Sequence, residues 1–244
     1  MIDVQLQGRL ANQLFQYALV RTVAERNGYE FHIPRETWLG GDLLKCSLGV
    51  EESTPTNWFH DRENQPFQPE AFNVPDFTQF IGFFQTEKYF EREKVKEWFR
   101  FDMTDGAKDF IGHYPAGEYC YMNIRGTDQA EFPHLILPKT YYTNAMSIMK
   151  RFNPDLRFLI ITDDISLSKT YFPNVPIYSN DRDTDFCILN AGRFVVSAIS
   201  TFCWWACYLN DYNIVIAPRG WFASQLNDNG WSPHDIRTHK FIWI

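Results

Sequence analysis

No stretch of eighteen consecutive apolar residues occurs, so no segment is long and apolar enough to cross a bilayer as a helix. The opening MIDVQLQGRL has neither a basic n-region nor an apolar h-region, which predicts a soluble, cytoplasmic chain without leader or anchor. Cysteine is sparse and unpatterned. Cys46, Cys120, Cys187, Cys203 and Cys207 are odd in number and include no C-x-x-C pair. Cys203 and Cys207 stand four apart, but no clustered His completes a zinc set, so buried free thiols and no metal site are expected. Positive charge is short: 23 Lys and Arg against 30 Asp and Glu leave a net charge of −7. That balance lacks the basic footprint of a general nucleic-acid binder. A phosphorylated ligand would have to be held by a few placed arginines and by backbone N–H groups. Neither a P-loop nor the three-glycine dinucleotide fingerprint occurs, which disfavours a regulatory nucleotide-binding module.

What is present is a globular composition. Hydrophobic residues make up 45% of the 244, enough for one large core or two small ones. Ile2, Val4 and Leu6 alternate with polar residues as a short strand does. After a turn at Gly8, residues 12–26 read as a helix with Leu14, Phe15, Ala18, Leu19 and Val23 on one face. Asn27-Gly28 stops it, and residues 29–33 read as a second strand. Residues 40–78 hold four prolines and read mostly as loop with short helices. Residues 79–84 read as a strand and 87–99 as a charged amphipathic helix. The Gly- and Pro-bearing segment 104–117 is the best candidate boundary.

Beyond it, strands are predicted at 119–124, 157–161, 175–178, 194–198 and 213–217. Helices alternate with them, opening at Pro138, Thr162-Asp163-Asp164, Thr184 and Thr201. This alternation predicts an α/β fold of two parallel halves with a cleft between them. Ligands then bind at the carboxyl ends of strands.

Four segments stand at such ends. Gly8-Arg9-Leu10-Ala11-Asn12-Gln13 offers a turn, N–H groups at a helix start and an amide, all suited to an anion. The same residues would also serve as a plain glycine turn with Asn12 as N-cap. Asn123-Ile124-Arg125-Gly126-Thr127-Asp128 runs from a strand into a turn. Arg125 could clamp a diphosphate there, or simply pair with Asp128 or Glu131. Asp163 and Asp164 could read a nucleoside or cap a helix. Ser200, Thr201 and Phe202 open a helix whose hydroxyls and N–H groups suit phosphate oxygens, although capping alone would also account for them. Trp204 and Trp205 read as core.

Taken together, the four segments resemble the inverting α-1,2-fucosyltransferase family and, more distantly, the α-1,6 and protein O-fucosyltransferases. GRLANQLFQYA from Gly8 is similar to the family's G-G-L-G-N-Q-M-F-Q-Y-A, and GFFQTEKYF from Gly82 to its G-Y-W-Q-S-E-K-Y-F. The stretch from Ser197 to Ala206 resembles S-x-S-x-F-S-W-W-A, and VIAPRGWF from Val215 resembles V-I-A-P-x-x-W-F. The resemblance implies a GT-B-like architecture with two Rossmann-like halves. Residues 1–112 would form an acceptor-side domain and 113–244 a donor-binding domain. It implies GDP-fucose as donor, a glycan acceptor such as a galactose 2-hydroxyl, and inverting transfer with no metal or other cofactor. It assigns the diphosphate to Arg125 and Asn12, with support from Gly8, Arg9, Gln13, Asn123, Ser200, Thr201 and Phe202. It assigns the nucleoside to Asp163 or Asp164.

In one place the chain departs from the pattern. Asn123 and Gly126 stand where the family's H-x-R-R-G-D has its His and second Arg, and Arg9 or Arg219 could compensate. Glu131 and Asp128 are the nearest candidates for a general base, if the reaction uses one. The competing readings are another nucleotide sugar or linkage on the same fold, or a catalytically inactive carbohydrate-binding relic. The acceptor-side loops fall at residues 34–78 and 129–137.

Overall fold

The computed structural model describes residues 1–62, 66–127, 135–219 and 235–244. Two compact units emerge, each built on a parallel sheet. One comprises Met1–Asp102 with residues 235–238. The other comprises residues 103–219 with His239–Ile244. The division therefore falls at Asp102 rather than at residue 112. The segment 104–117 expected to hold the boundary contains helix α3 (Asp105–His113), capped by the Thr104 hydroxyl. It joins the second unit, where Thr104 Oγ1 meets Thr184 Oγ1 at 3.0 Å.

In the first unit, β1 (Ile2–Gln5), β2 (Asn57–His60) and β3 (Thr78–Ile81) are ordered β1-β3-β2, all parallel. β2 lies inside the segment expected to be loop. It is short and alternates half-buried and exposed residues at the sheet edge, so its apolar signal is weak. The strand expected at 29–33 reduces to isolated bridges from Phe31 and His32. The helix expected over 87–99 is broken into a 3₁₀ turn (Glu87–Tyr89) and α2 (Arg92–Trp98).

Helix α1 (Leu10–Asn27) ends on Gly28, whose φ of +67° costs a glycine little. It is buried on nearly every face rather than along one stripe. Trp38, Trp98 and Phe99 close around Tyr17, with ring centroids 5.1–6.4 Å away. Full enclosure is tolerated because its polar side chains are satisfied locally. Gln16 accepts from the Gln7 N–H at 3.0 Å and donates to the Gln7 carbonyl at 3.2 Å. Thr22 Oγ1 donates to the Ala18 carbonyl at 2.7 Å. Each fully buried Leu, Val or Phe in such a setting contributes about 1.5–3 kcal/mol.

The second unit follows the sequence reading closely. Its strands are β4 (Tyr119–Ile124), β5 (Arg157–Thr162), β6 (Ile177–Tyr178), β7 (Phe194–Val196) and β8 (Ile214–Ala217). The intervening helices are α4 (Lys139–Phe152), α5 (Ile165–Tyr171), α6 (Arg182–Ala191) and α7 (Thr201–Tyr208). A last strand, β9 (Ile242–Trp243), extends the sheet to six. Trp204 and Trp205 are fully buried, and Trp204 stacks on Tyr208 at 4.4 Å. All five cysteines are free, and four of them are buried. Among the described residues no helix is long and apolar enough to cross a membrane.

Candidate functional site

Every strand pair in the second unit is parallel, and the order is β6-β5-β4-β7-β8-β9. From β4 the chain builds outward through β5 and β6, then crosses to the other side of β4 and continues through β7 and β8. A parallel sheet that reverses in this way opens a crevice where the two helices leaving the central strands diverge. Here that point lies at the carboxyl ends of β4 and β7. Arg125 follows β4, Ser200 and Thr201 follow β7, and Asp163 and Asp164 follow the neighbouring β5. Three of the four segments singled out in sequence therefore converge on one sheet edge. The fourth, at Gly8, belongs to the first unit.

At β4, Asn123 is buried. Its Nδ2 donates to the Ile161 carbonyl at 3.3 Å, while its Oδ1 has no partner among the described residues. A buried acceptor left unpaired costs about 1–3 kcal/mol, so this oxygen is unusual. Arg125 is half-buried. Gly126 is fastened to the next strand, its N–H donating to Asp163 Oδ1 at 2.9 Å. A Cβ on Gly126 would lie 2.6 Å from Asp164 Oδ2 and 2.8 Å from Asp164 Cβ. The position where the resemblance leads one to look for a second arginine thus has no room for any side chain. Asp128 and Glu131 lie outside the described residues.

The two aspartates have separate duties. Asp164 caps α5, its Oδ1 accepting from the Leu167 N–H at 2.9 Å. Asp163 is exposed and spends one oxygen on Gly126. Its other oxygen accepts no hydrogen bond from a described residue. Ser200 caps α7 through the Cys203 N–H at 3.3 Å, and no acidic residue occupies the first turn of that helix. The positive end of α7 is therefore offset by no side-chain carboxylate in its first turn, which favours an anion there. Phe202 packs its ring on Phe186 at 5.3 Å, so its side chain belongs partly to the core.

One residue at this edge was not singled out in sequence. Asp185, on the first turn of α6, accepts from Asn180 Nδ2 at 2.8 Å, and Asn180 closely follows β6. Burial pushes its carboxyl up to about 6, with the nearby Asp181 and Asp163 charges adding to the rise. Nothing in D-R-D-T-D distinguishes it from its neighbours. Only enclosure does.

In the first unit, Gly8 adopts φ +71°, and a Cβ there would lie 2.2 Å from Asn12 Nδ2. Glycine is required on both counts. Asn12 is not the N-cap. That position belongs to Arg9, which makes no side-chain cap bond, and Asn12 is the third helical residue. Gln13 is committed to structure: its Nε2 donates to the Thr37 carbonyl at 3.0 Å and its Oε1 accepts from the Leu39 N–H at 2.9 Å. Among the described residues no group of three or more His, Cys, Asp or Glu side chains is arranged to hold a metal ion.

The fold is similar to that of solved fucosyltransferases. POFUT1 in complex with GDP-fucose superposes with a TM-score of 0.59 at 10% identity, covering 88% of this chain and 96% of that one. The curated relatives are glycosyltransferases of Escherichia coli. An α-1,2-colitosyltransferase is 29% identical over 166 residues, 60% of this chain and 57% of the relative. The O-antigen biosynthesis glycosyltransferase WbnK is 28% identical over 130 residues, 45% of this chain and 42% of the relative. The chain thus spans about half the length of the curated relatives it matches. No family model matches. The architecture is α/β and GT-B-like, as the sequence predicted.

Proposed function

We propose that the chain is a nucleotide-sugar glycosyltransferase that moves L-fucose from GDP-fucose to a glycan hydroxyl, such as the 2-hydroxyl of a galactose, with inversion. The observation that carries this reading is the sheet order, which brings Arg125 and the α7 start to one switch point. In the mechanism, an acceptor hydroxyl attacks C1 of the sugar as the nucleoside diphosphate departs on the opposite face. The C1–O bond to phosphate breaks, the new glycosidic bond forms, and the hydroxyl proton leaves. Negative charge collects on the β-phosphate. The Arg125 guanidinium, the Ser200 and Thr201 hydroxyls and the first-turn N–H groups of α7 stabilise that charge as it develops. Within the first unit, the Gly8 turn with Asn12 is a separate candidate anion-contacting element, and in this reading transfer needs no metal.

Asp185 and Asp163 are the candidate readers of the nucleobase. A carboxylate accepts the paired N–H donors of guanine, and a carboxyl with a raised pKa gains most from such a partner. Asn123 Oδ1 is a candidate acceptor for a ribose hydroxyl. Proton acceptance by Glu131 or Asp128 remains part of the proposal.

The colitosyltransferase relative favours a second reading, in which the donor sugar is colitose, the 3-deoxy counterpart of fucose. The two readings differ by one hydroxyl on the donor. Turnover of GDP-fucose and GDP-colitose against a panel of galactosides, with NMR of the product linkage, separates them. Release of GDP from GDP-fucose with an α-1,2-linked fucoside as product supports the first. Turnover confined to GDP-colitose replaces it with the second. Sugar binding with no GDP release on any acceptor defeats both.

A further inference from the structure

Edge strand β2 turns one face to the core and one to solvent. Phe59 packs on Phe80 of β3, with ring centroids 5.3 Å apart. Side chains alternate along a strand, so Trp58 and His60 take the opposite face, beside Gln79 and Ile81 of β3. Trp58 pairs in register with Gln79 and is 59% exposed, while Gln79 is half-buried. The largest apolar side chain gains little burial energy at such a place.

Gln79 is fixed from beneath. Asp3 on β1 is 2% exposed, and its Oδ2 accepts from Gln79 Nε2 at 3.0 Å. The other oxygen, Oδ1, accepts from the Val4 N–H at 2.7 Å. The buried carboxylate thus takes the donor end of the Gln79 amide and leaves Oε1, the acceptor end, for a donor from outside. Among the described residues nothing donates to that oxygen, and the Trp58 indole N–H donates to none of them. Phe77, two residues before Gln79, is 43% exposed and held at φ +59°, in the left-handed region. Its carbonyl accepts from the Thr56 and Asn57 N–H groups at 2.9 and 3.1 Å, and its own N–H donates to Asp76 Oδ1 at 3.0 Å. A strained, exposed aromatic persists because this backbone over-determines it.

Trp58, Phe77, Gln79 and Ile81 carry no charge, which suits a neutral ligand. The face is also small. Trp58 and His60 lie about 7 Å apart along β2, and β3 lies about 5 Å away. A stable protein interface covers about 800 Å² on each partner, far more than this face offers. A single sugar ring matches it. The C–H bonds of a pyranoside present a positive edge to the negative face of an indole, and its hydroxyls suit an amide oxygen.

We propose that Trp58 and Gln79 form a sugar-binding subsite on the outer face of the first unit's sheet. Trp58 stacks on the ring of a galactoside, and Gln79 Oε1 accepts from one of its hydroxyls. The choice of a galactoside rests on the proposed function, whose acceptor is of that class. The subsite itself lies wholly within the first unit.

The test uses the full chain without nucleotide, with methyl β-galactoside as probe and affinity read by ligand-observed NMR. Trp58→Ala is expected to weaken binding about tenfold at unchanged Tm, because the side chain it removes is exposed. Trp58→Phe keeps an aromatic face and should stay within about threefold of the wild type. Among monodeoxy galactosides, the wild type should discriminate against the one that lacks the bonded hydroxyl, and Gln79→Met should lose that discrimination. Equal affinity in the wild type and Trp58→Ala overturns the subsite, as does a wild type that binds no galactoside. A wild-type dimer that Trp58→Ala dissociates in sedimentation assigns the face to a second copy of the chain instead. Galactoside binding that depends on Trp58 upholds the subsite even where GDP-fucose transfer fails, so the two proposals fall separately.

Discussion

Arg125 is the residue on which the proposed chemistry turns. It follows the central strand, and in the proposed mechanism replacement by alanine removes a leaving-group contact without emptying a core position, since Arg125 is only half-buried. Arg125→Ala is expected to lower kcat by about a hundredfold or more while leaving Tm unchanged. Substantial turnover by a well-folded variant would take Arg125 out of the mechanism. Asp185 makes the opposite kind of prediction. Its carboxyl is pushed up to about 6 from an ordinary value of 3.8. Between those values the folded chain holds a proton that the unfolded chain has released, so stability falls as pH rises through that window. Asp185→Asn keeps an acceptor for Asn180 and removes the charge. It should raise stability at pH 7.5 by an amount on the order of 2 kcal/mol and leave it unchanged at pH 3, as read by denaturant titration. The same variant should bind GDP more weakly. A gain in both stability and affinity would show that Asp185 reads no nucleobase.

At the scale of elements, the junction between the β4 turn and α5 accounts for the missing second arginine. Asp163 holds the Gly126 N–H, Thr127 Oγ1 donates to the Asp163 carbonyl at 2.5 Å, and Asp164 caps α5 directly behind. Gly126 is glycine for lack of space, because its φ lies outside the left-handed region. Gly126→Ala should destabilise the chain by about 1–3 kcal/mol through overpacking. Gly126→Arg should unfold it more readily still and restore no activity. An arginine accommodated at wild-type Tm would show that the turn can open. The opening motif of α1 reads differently once its partners are known. Gln13 ties the 37–39 loop and Gln16 ties Gln7, while the Tyr17 hydroxyl donates to the Ser47 carbonyl at 2.8 Å. Most of that motif fastens the fold.

At the scale of the whole molecule, a ligand bound by the folded chain alone raises its stability by mass action. GDP at a hundred times its dissociation constant should add about 2.7 kcal/mol, seen as a clear rise in Tm. UDP and dTDP should add far less, because their bases lack the paired donors that a carboxylate reads. Equal shifts from all three nucleotides would remove the guanine assignment.

The second unit was legible in the sequence because β4, β5 and β7 are nearly continuous apolar runs punctuated by Gly, Pro and Asn. Buried parallel strands require that pattern. The first unit was less legible. β2 sits at an edge with Trp58 exposed, and the 87–99 segment divides at Phe90-Glu91, where no strong breaker marks the stop. The C-terminal segment carries the weakest local pattern. Residues 235–238 pack in the first unit, where Asp235 accepts from the Phe67 N–H and from Lys88 Nζ, both at 2.7 Å, before β9 rejoins the second.

By itself the sequence determined the α/β alternation, the strand ends and the candidacy of Arg125, Ser200 and Thr201. These depend on local pattern, which the chain carries in its own periodicity. The tertiary structure alone decided the β6-β5-β4-β7 order, the crowding at Gly126 and the enclosure of Asp185. Each of these is a contact between residues distant in sequence. Packing sets such contacts, and no local propensity encodes them.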